Sequence, residues 1–315
     1  MTSDVLLPFN WQSNQWEWLV SRYRQGRMPH AVLMSGPEFV GKENLALALA
    51  QKILCVTPEL EAGDSCGRCK GCLLSAAGNH PDLVLIKPEV DGKAIKISRI
   101  RELASFVFQS AQQGGWRIII VNPVEKMSGD AKVALLKILE EPRGKTVFVI
   151  LSHELGRVPA TIVSRCHKIT LPIPPENVVL SWLHHSSNDK NKIKKALELA
   201  NGRPLLAEHY LTGSLLSQHE EFNGVLDDLW NGQVSPLEAA QKCHQKAALG
   251  LMDWYRFRVY SMAKERSDGA VAQELFFFYD KLNKARNWLI DSNPNLKLLW
   301  EELFFDWVKL SKKLM

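Results

Sequence analysis

The stretch from residue 31 to residue 54 constrains the fold more than any other part of the chain. It reads AVLMSGPEFVGKENLALALAQKIL: a short apolar run, a loop with two glycines, and a segment of helical composition. This is the layout of a phosphate-binding loop, where backbone N–H groups and a lysine surround phosphate at a helix N-terminus. Gly36, Gly41 and Lys42 match G-x-x-x-x-G-K-[ST], but Glu43 replaces the hydroxyl that holds Mg²⁺. The loop predicts an α/β fold and leaves nucleotide binding open.

Apolar runs suited to buried strands alternate with helical segments from residue 31 to about residue 171. Such alternation predicts a parallel sheet covered by helices. Three prolines between residues 172 and 175 then mark a domain boundary. Beyond them the strand pattern disappears, and we expect an all-α lid over residues 172–212 and a second all-α domain over residues 213–315. In the last domain, residues 235–265 are predicted to form one long helix.

Four cysteines form a compact module directly after the first predicted α/β helix. Cys55, Cys66, Cys69 and Cys72 have the spacing C-x10-C-x2-C-x2-C. Four thiolates close in sequence suit tetrahedral zinc, and Gly67 and Gly71 permit the tight turns that this requires. A structural zinc site is the favoured interpretation; an iron–sulfur cluster or free thiols remain as alternatives.

Composition limits the compartment and the partners. The N-terminus lacks a basic region followed by an apolar stretch, and no apolar run is long enough to cross a membrane. We therefore expect a cytoplasmic protein with reduced thiols and no membrane partner. The net charge of +5 permits a nucleic-acid partner without requiring one.

Four stretches in this order resemble the clamp-loader branch of the AAA+ ATPases. They are MPHAVLMSGPEFVGK (28–42), the cysteine module through GNHPDL (55–83), ALLKILEEP (134–142) and RVPATIVSRC (157–166). The resemblance implies a AAA+ domain over residues 1–171 that carries the zinc module. It also implies that residues 213–315 join partner subunits in a helical collar.

The same resemblance implies that this chain does not hydrolyse ATP. Working members end the strand before the ALLK helix in Asp-Glu, which hold Mg²⁺ and polarise the attacking water. Here those positions are Asn122 and Pro123. The family's second sensing arginine is also absent, and Leu205 stands near its expected position. Glu125 and Glu141 lie nearby but not at the family's position, and Glu125 is interpreted as a solvated surface charge.

The loop of Gly36, Gly41 and Lys42 is therefore expected to bind ATP weakly or not at all. Lys42 either meets an anion or pairs with a neighbouring carboxylate.

The motif Ser164-Arg165-Cys166 is intact. In the family, this arginine reaches the ATP held by the neighbouring subunit. The resemblance implies that Arg165 is an arginine finger acting in trans, supported by Ser164; an internal ion pair is the alternative.

The implied partners are ATP-hydrolysing gamma or tau subunits, a clamp-opening delta subunit, and, through the complex, the sliding clamp and primed DNA. Lys126, Lys132 and Lys137 are candidate DNA contacts, although a solvated helix face is the preferred interpretation.

Two other functions are compatible with these motifs. One is a working clamp-loader ATPase of the gamma or tau type, against which Glu43, Asn122 and Pro123 argue. The other is a zinc-dependent nucleic-acid-binding module on an inactive AAA+ scaffold.

Overall fold

The computed structural model describes residues 5–57, 65–89, 93–108, 110–113, 115–140, 144–265, 269–292 and 294–314. The chain separates into two compact units, one of Met1–Trp182 with Gly202–Leu206 and one of Leu183–Asn201 with Ala207–Met315. Within the described ranges, no helix combines the length and the apolar character needed to cross a bilayer. The three-part division into residues 1–171, 172–212 and 213–315 stays a prediction.

The first unit is built on a parallel sheet. Its strands are β1 (Ala31–Ser35), β2 (Leu83–Ile86), β3 (Arg117–Val121), β4 (Thr146–Ser152) and β5 (His167–Thr170). They lie in the order β2-β3-β4-β1-β5, and every pairing is parallel. β1, β3 and β4 are buried along their whole length, which is why the sequence shows them as continuous apolar runs.

Helices cover both faces of this sheet. They are α1 (Ser13–Arg24), α2 (Lys42–Leu54), α4 (Ile97–Phe108), α5 (Gly129–Glu140) and the short α6 (Ala160–Val163). The unit also includes α3 (Lys70–Ala76) and α7 (Glu176–Leu183), whose last residue belongs to the second unit. Alternate residues of β1 enter opposite cores: Leu33 packs with the α4 and α5 side, and Met34 with the α2 side. The predicted α/β fold with a parallel sheet is confirmed.

The second unit consists of helices throughout its described part. They continue as α8 (Lys190–Leu199), α9 (Pro204–Thr212, which begins in the first unit), α10 (Leu215–Trp230), α11 (Pro236–Cys243), α12 (Ala248–Glu265), α13 (Gly269–Asp291) and α14 (Leu296–Leu314). Large aromatic side chains fill its core, and two of them donate to helix carbonyls: Trp307 Nε1 to Leu226 (3.0 Å) and Tyr255 Oη to Leu303 (3.4 Å).

One local prediction is wrong. Residues 235–265 form two helices, because α11 ends at Cys243 and the chain turns before α12; no glycine or proline marks that turn. Helix α4 begins at Ile97. Ile95 exchanges backbone hydrogen bonds with Lys126 and Ser128, which fixes the chain just before that helix begins. Glu141 and Pro142 lie outside the described residues.

Candidate functional site

The predicted phosphate loop joins β1 to α2 at the carboxyl ends of the strands. Gly36 has φ +154°, and a Cβ there would stand 2.0 Å from the carbonyl oxygen of Leu171, so only glycine fits. Gly41 is the left-handed residue before α2, with φ +86°. The strand–loop–helix geometry expected from the sequence is therefore present.

Lys42 is folded back onto its own loop. Its Nζ donates to the carbonyl oxygens of Gly36 (2.6 Å) and Pro37 (2.5 Å), and the residue is 4% exposed. Burial lowers the pKa of the Lys42 ammonium to about 8, against the opposing effect of the Glu38 and Glu125 carboxylates. Of the two alternatives for Lys42, a direct pair with a carboxylate is not the one observed, because the backbone carbonyls of Gly36 and Pro37 accept the ammonium's hydrogen bonds.

An aromatic cover lies against the loop. The Trp11 Nε1 donates to the carbonyl of Val40 (3.1 Å), and the Gln12 amide donates to the carbonyls of Val40 (3.1 Å) and Gly41 (2.9 Å). A Cβ on Gly41 would stand 2.6 Å from the Phe9 ring. Phe9 stacks on Trp11 with centroids 4.6 Å apart, and the Trp182 ring meets both edge-on.

Glu43 and Asn122, which replace the two metal-holding residues of the family pattern, bind each other. The Asn122 amide donates to one Glu43 oxygen (2.5 Å), and the Lys87 ammonium lies 2.6 Å from the other. A carboxylate–amide–ammonium network thus joins α2 to the ends of β2 and β3. These contacts engage both carboxylate oxygens of Glu43.

Glu125 is not the solvated surface charge that the sequence suggested. Its Oε1 accepts hydrogen bonds from the backbone N–H groups of His153 (2.7 Å) and Glu154 (3.2 Å), just beyond β4. Burial lowers the pKa of the His153 imidazole to about 4, and the positive charges of Lys42 and Lys126 act in the same direction. Glu125 therefore fixes the chain at the end of a strand.

Arg165 follows the short helix α6 and is partly exposed, with 37% of its side chain accessible. Its Nη2 donates to Glu140 (2.5 Å), and its Nη1 donates to the carbonyl of Thr161 (2.9 Å) and lies 3.4 Å from the Ser164 hydroxyl. Ser164 also donates to the Thr161 carbonyl (3.1 Å). Ser164 and Arg165 thus both bind the Thr161 carbonyl, and their side chains lie next to each other. The Glu140 pair is at the surface, where such pairs contribute only about 0–1 kcal/mol.

The four predicted metal ligands come together. The Sγ atoms of Cys55, Cys66, Cys69 and Cys72 all lie within 4.8 Å of one another, with 3.8 Å between Cys66 and Cys72 and between Cys55 and Cys69. Burial raises the pKa of the Cys66 thiol, but hydrogen bonds from the backbone N–H groups of Arg68 and Cys69 outweigh it and lower this pKa to about 6. The cluster has the geometry of a four-thiolate metal site.

The structure thus assembles separate sites in the first unit. Gly36, Gly41, Lys42, Glu43 and Asn122 meet at one edge of the sheet. The cysteines gather after α2, and Arg165 stands beside α5. Sequence reasoning missed the roles of Phe9, Gln12 and Lys87, because nothing in their local spacing indicates contacts with residues about 30 to 45 positions away.

Comparisons with known proteins place this geometry in a class. A solved gamma subunit-related protein of DNA polymerase III from Thermotoga maritima is 19% identical, with TM-score 0.55 over 94% of this chain and 99% of that one. The chain therefore shares the fold of that structure over most of its length.

The family can be stated more closely. The family model described as DNA polymerase III, delta subunit, matches residues 11–175. DNA polymerase III subunit delta' of Pseudomonas aeruginosa is 31% identical over 96% of this chain and 98% of its own length. The Haemophilus influenzae subunit of the same name is 35% identical over 75% of this chain and 73% of its own length. The chain belongs to the DNA polymerase III subunit delta' family, as the sequence motifs indicated.

Proposed function

We propose that this chain is the non-hydrolysing subunit of a clamp loader within the DNA polymerase III holoenzyme. It supplies Arg165 in trans to ATP held by a neighbouring gamma or tau subunit. With a clamp-opening delta subunit, the assembly places the sliding clamp on primed DNA in the cytoplasm. The observation that carries this proposal is the contact between Glu43 and Asn122 at the place where a working subunit holds Mg²⁺.

The charges and contacts around the loop support a subunit that does not hydrolyse ATP itself. Mg²⁺ neutralises phosphate charge in phosphoryl transfer, and here the oxygens of Glu43 are engaged by Asn122 and Lys87. Lys42 donates to the loop carbonyls of Gly36 and Pro37, and Phe9, Trp11 and Gln12 lie against the loop. These contacts favour a subunit without ATP turnover of its own.

Arg165 retains what a finger requires. A finger neutralises charge on the transferring phosphoryl group, which can accelerate the reaction about 10³–10⁵-fold. The guanidinium is partly exposed, and its pair with Glu140 is weak enough to be exchanged for a phosphate.

The test is the ATPase activity of a loader reconstituted with the Arg165→Ala variant. We expect normal assembly and DNA-stimulated hydrolysis at least about 10-fold slower, because the stabilising charge is lost. Arg165→Lys should restore little of the ATPase activity, since an ammonium cannot form the two parallel hydrogen bonds that a guanidinium forms with a phosphate. Arg99→Ala removes an arginine from a comparable exposed pair with Glu102 and should leave activity unchanged. Equal activity of the Arg165→Ala and wild-type loaders would overturn the finger assignment.

We further propose zinc as the ion of the cysteine cluster. Tetrahedral Zn–S bonds of about 2.3 Å require sulfur atoms about 3.8 Å apart, and two of the pairs already have that separation. Backbone N–H groups of Cys69 and Cys72 point at the sulfurs of Cys66 and Cys69 (3.4 Å each), which favours thiolates. With four protein ligands the site is closed, so its role is structural.

A further inference from the structure

Helix α8 carries four exposed lysines. Lys190, Lys192, Lys194 and Lys195 form a group that we call the α8 lysine row. Residues three and four positions apart are neighbours on a helix, so Lys190 lies beside Lys194 and Lys192 beside Lys195. Ile193, Ala196 and Leu197 on the opposite side are buried and hold the helix in the second unit.

Three lysines of the row have no acidic partner. Within the described part of the chain, Lys190, Lys192 and Lys194 form no ion pair, whereas Lys195 is bound to Glu220 (2.7 Å). The one carboxylate at the start of the helix, Asp189, is engaged in capping the backbone N–H groups of Asn191 and Lys192. Lys190 and Lys194 therefore carry positive charge with no bound acid, while Glu220 binds Lys195 and lies close enough to Lys192 for its charge to be felt.

A cleft adjoins the row. It has a volume of about 480 Å³ and lies between α8 and the start of α10. Its lining includes Asn191, Lys192 and Lys195 from the helix and Ser217 and Glu220 from α10. The cleft adds the Asn191 amide and the Ser217 hydroxyl beside the row, together with the Glu220 carboxylate that binds Lys195.

We propose that the α8 lysine row binds the phosphate backbone of duplex DNA. The exposed side chains of α8 are all polar or charged, whereas a protein partner would require an apolar centre to its interface. The helix also exposes no aromatic ring on which the bases of a single strand could stack. Lysines act as flexible point charges, which suits contacts with phosphates irrespective of sequence.

This site differs from the DNA contacts predicted from the sequence. Lys126, Lys132 and Lys137 lie in and next to α5 of the first unit. The proposed function serves here only to suggest DNA as the ligand. Binding is measured on the chain itself, so a negative ATPase result for Arg165 and a negative result here are distinguishable.

The first experiment compares two triple variants of the full chain. Anisotropy of a fluorescein-labelled primer–template duplex is measured at 50 and 200 mM salt. Each phosphate contact contributes a slope of about −0.9 in log K against log salt, so three contacts account for roughly 40-fold over that range. We expect Lys190→Gln/Lys192→Gln/Lys194→Gln to lose most of this dependence. Lys242→Gln/Lys264→Gln/Lys312→Gln removes the same charge from exposed positions elsewhere in the second unit and should retain this salt dependence.

A second pair of variants tests whether duplex binding can be strengthened. Glu220→Gln releases Lys195 and should tighten duplex binding by about 3-fold at 200 mM salt, which unfolding cannot imitate. Glu221→Gln is the matched control, because its carboxylate pairs with Lys246 at the same 2.7 Å separation. Absence of duplex binding at 50 mM salt, equal losses in both triple variants, or preference for single-stranded DNA would each overturn the proposal.

Discussion

Lys42 carries a charge that the fold buries, and this makes stability depend on pH. Its pKa is about 8 in the folded chain against an ordinary 10.5, so between these values the unfolded chain holds a proton that the folded chain has lost. The free energy of unfolding should therefore rise with pH across this window, by up to about 1.4 kcal/mol per pH unit from this group. Below pH 8 the contribution is constant.

The Lys42→Met variant tests this dependence. Urea unfolding of wild type and variant at pH 8 and pH 10 should give a smaller pH-dependent gain for the variant. Other groups that titrate in this range affect both proteins equally, so they cancel when the change in the free energy of unfolding with pH is compared between wild type and variant. Identical slopes would show that Lys42 is not buried as an ammonium. The loss of donors to Gly36 and Pro37 lowers stability at both pH values and leaves this difference unaffected.

For single residues, the sequence revealed departures from the family motif better than it revealed which side chains contact each other. Glu43 and Asn122 were found because they depart from a motif with fixed spacing. Their hydrogen bond to each other joins residues 79 positions apart, which no local pattern encodes. Glu125 was misjudged for the same reason, since its partners are the N–H groups of His153 and Glu154 on another strand's end.

Among the elements, α2 links the loop to the cysteine cluster. It begins at Lys42 and ends next to Cys55. Its last turn touches α3 so closely that a Cβ on Gly71 would stand 2.2 Å from the Leu54 carbonyl oxygen. The Gln51 amide donates to the carbonyl of Cys72 (3.0 Å), which ties the same two helices together. Metal binding should therefore stabilise the end of α2.

Replacing Cys66 by serine should remove the metal. We expect zinc content to fall from about one ion per chain to near zero, with a loss of several kcal/mol in the free energy of unfolding. Atomic emission analysis and thermal melting measure the two effects. Cys166→Ser, which changes a cysteine outside the cluster, should keep its zinc. An iron absorbance band in the wild-type protein would contradict the zinc assignment.

The ends of helices and strands could be predicted where an apolar pattern is followed by residues that break regular structure. The central strands were readable in the sequence, because burial on both faces leaves continuous apolar runs. The turn between α11 and α12 was not, since the residues from His244 to Ala247 include no helix breaker. There the break depends on how Ala239, Ala240 and Cys243 are buried, which is a property of the folded unit.

For the molecule as a whole, the placement of aromatic residues in the second unit indicates an interface. Trp300 and Trp307 are buried, but Phe277 is 61% exposed on α13 and Trp288 on the same helix is 52% exposed. Phe277 and Trp288 are three helical turns apart, so they lie along one side of α13. Aromatic side chains exposed in this way are enriched at protein interfaces.

The double variant Phe277→Gln/Trp288→Gln should therefore fail to assemble. Buried aromatic anchors at interfaces often contribute 2 kcal/mol or more, so each loss should weaken association with gamma and delta subunits by about 30-fold. Size-exclusion chromatography with light scattering measures assembly, and thermal melting should find the isolated variant as stable as wild type, because exposed side chains are changed. Leu237→Gln on α11, 53% exposed, is the control and should assemble normally. If the double variant also assembles normally, this side of α13 lies outside the collar contact, and the oligomerisation role proposed for residues 213–315 must rest on other helices.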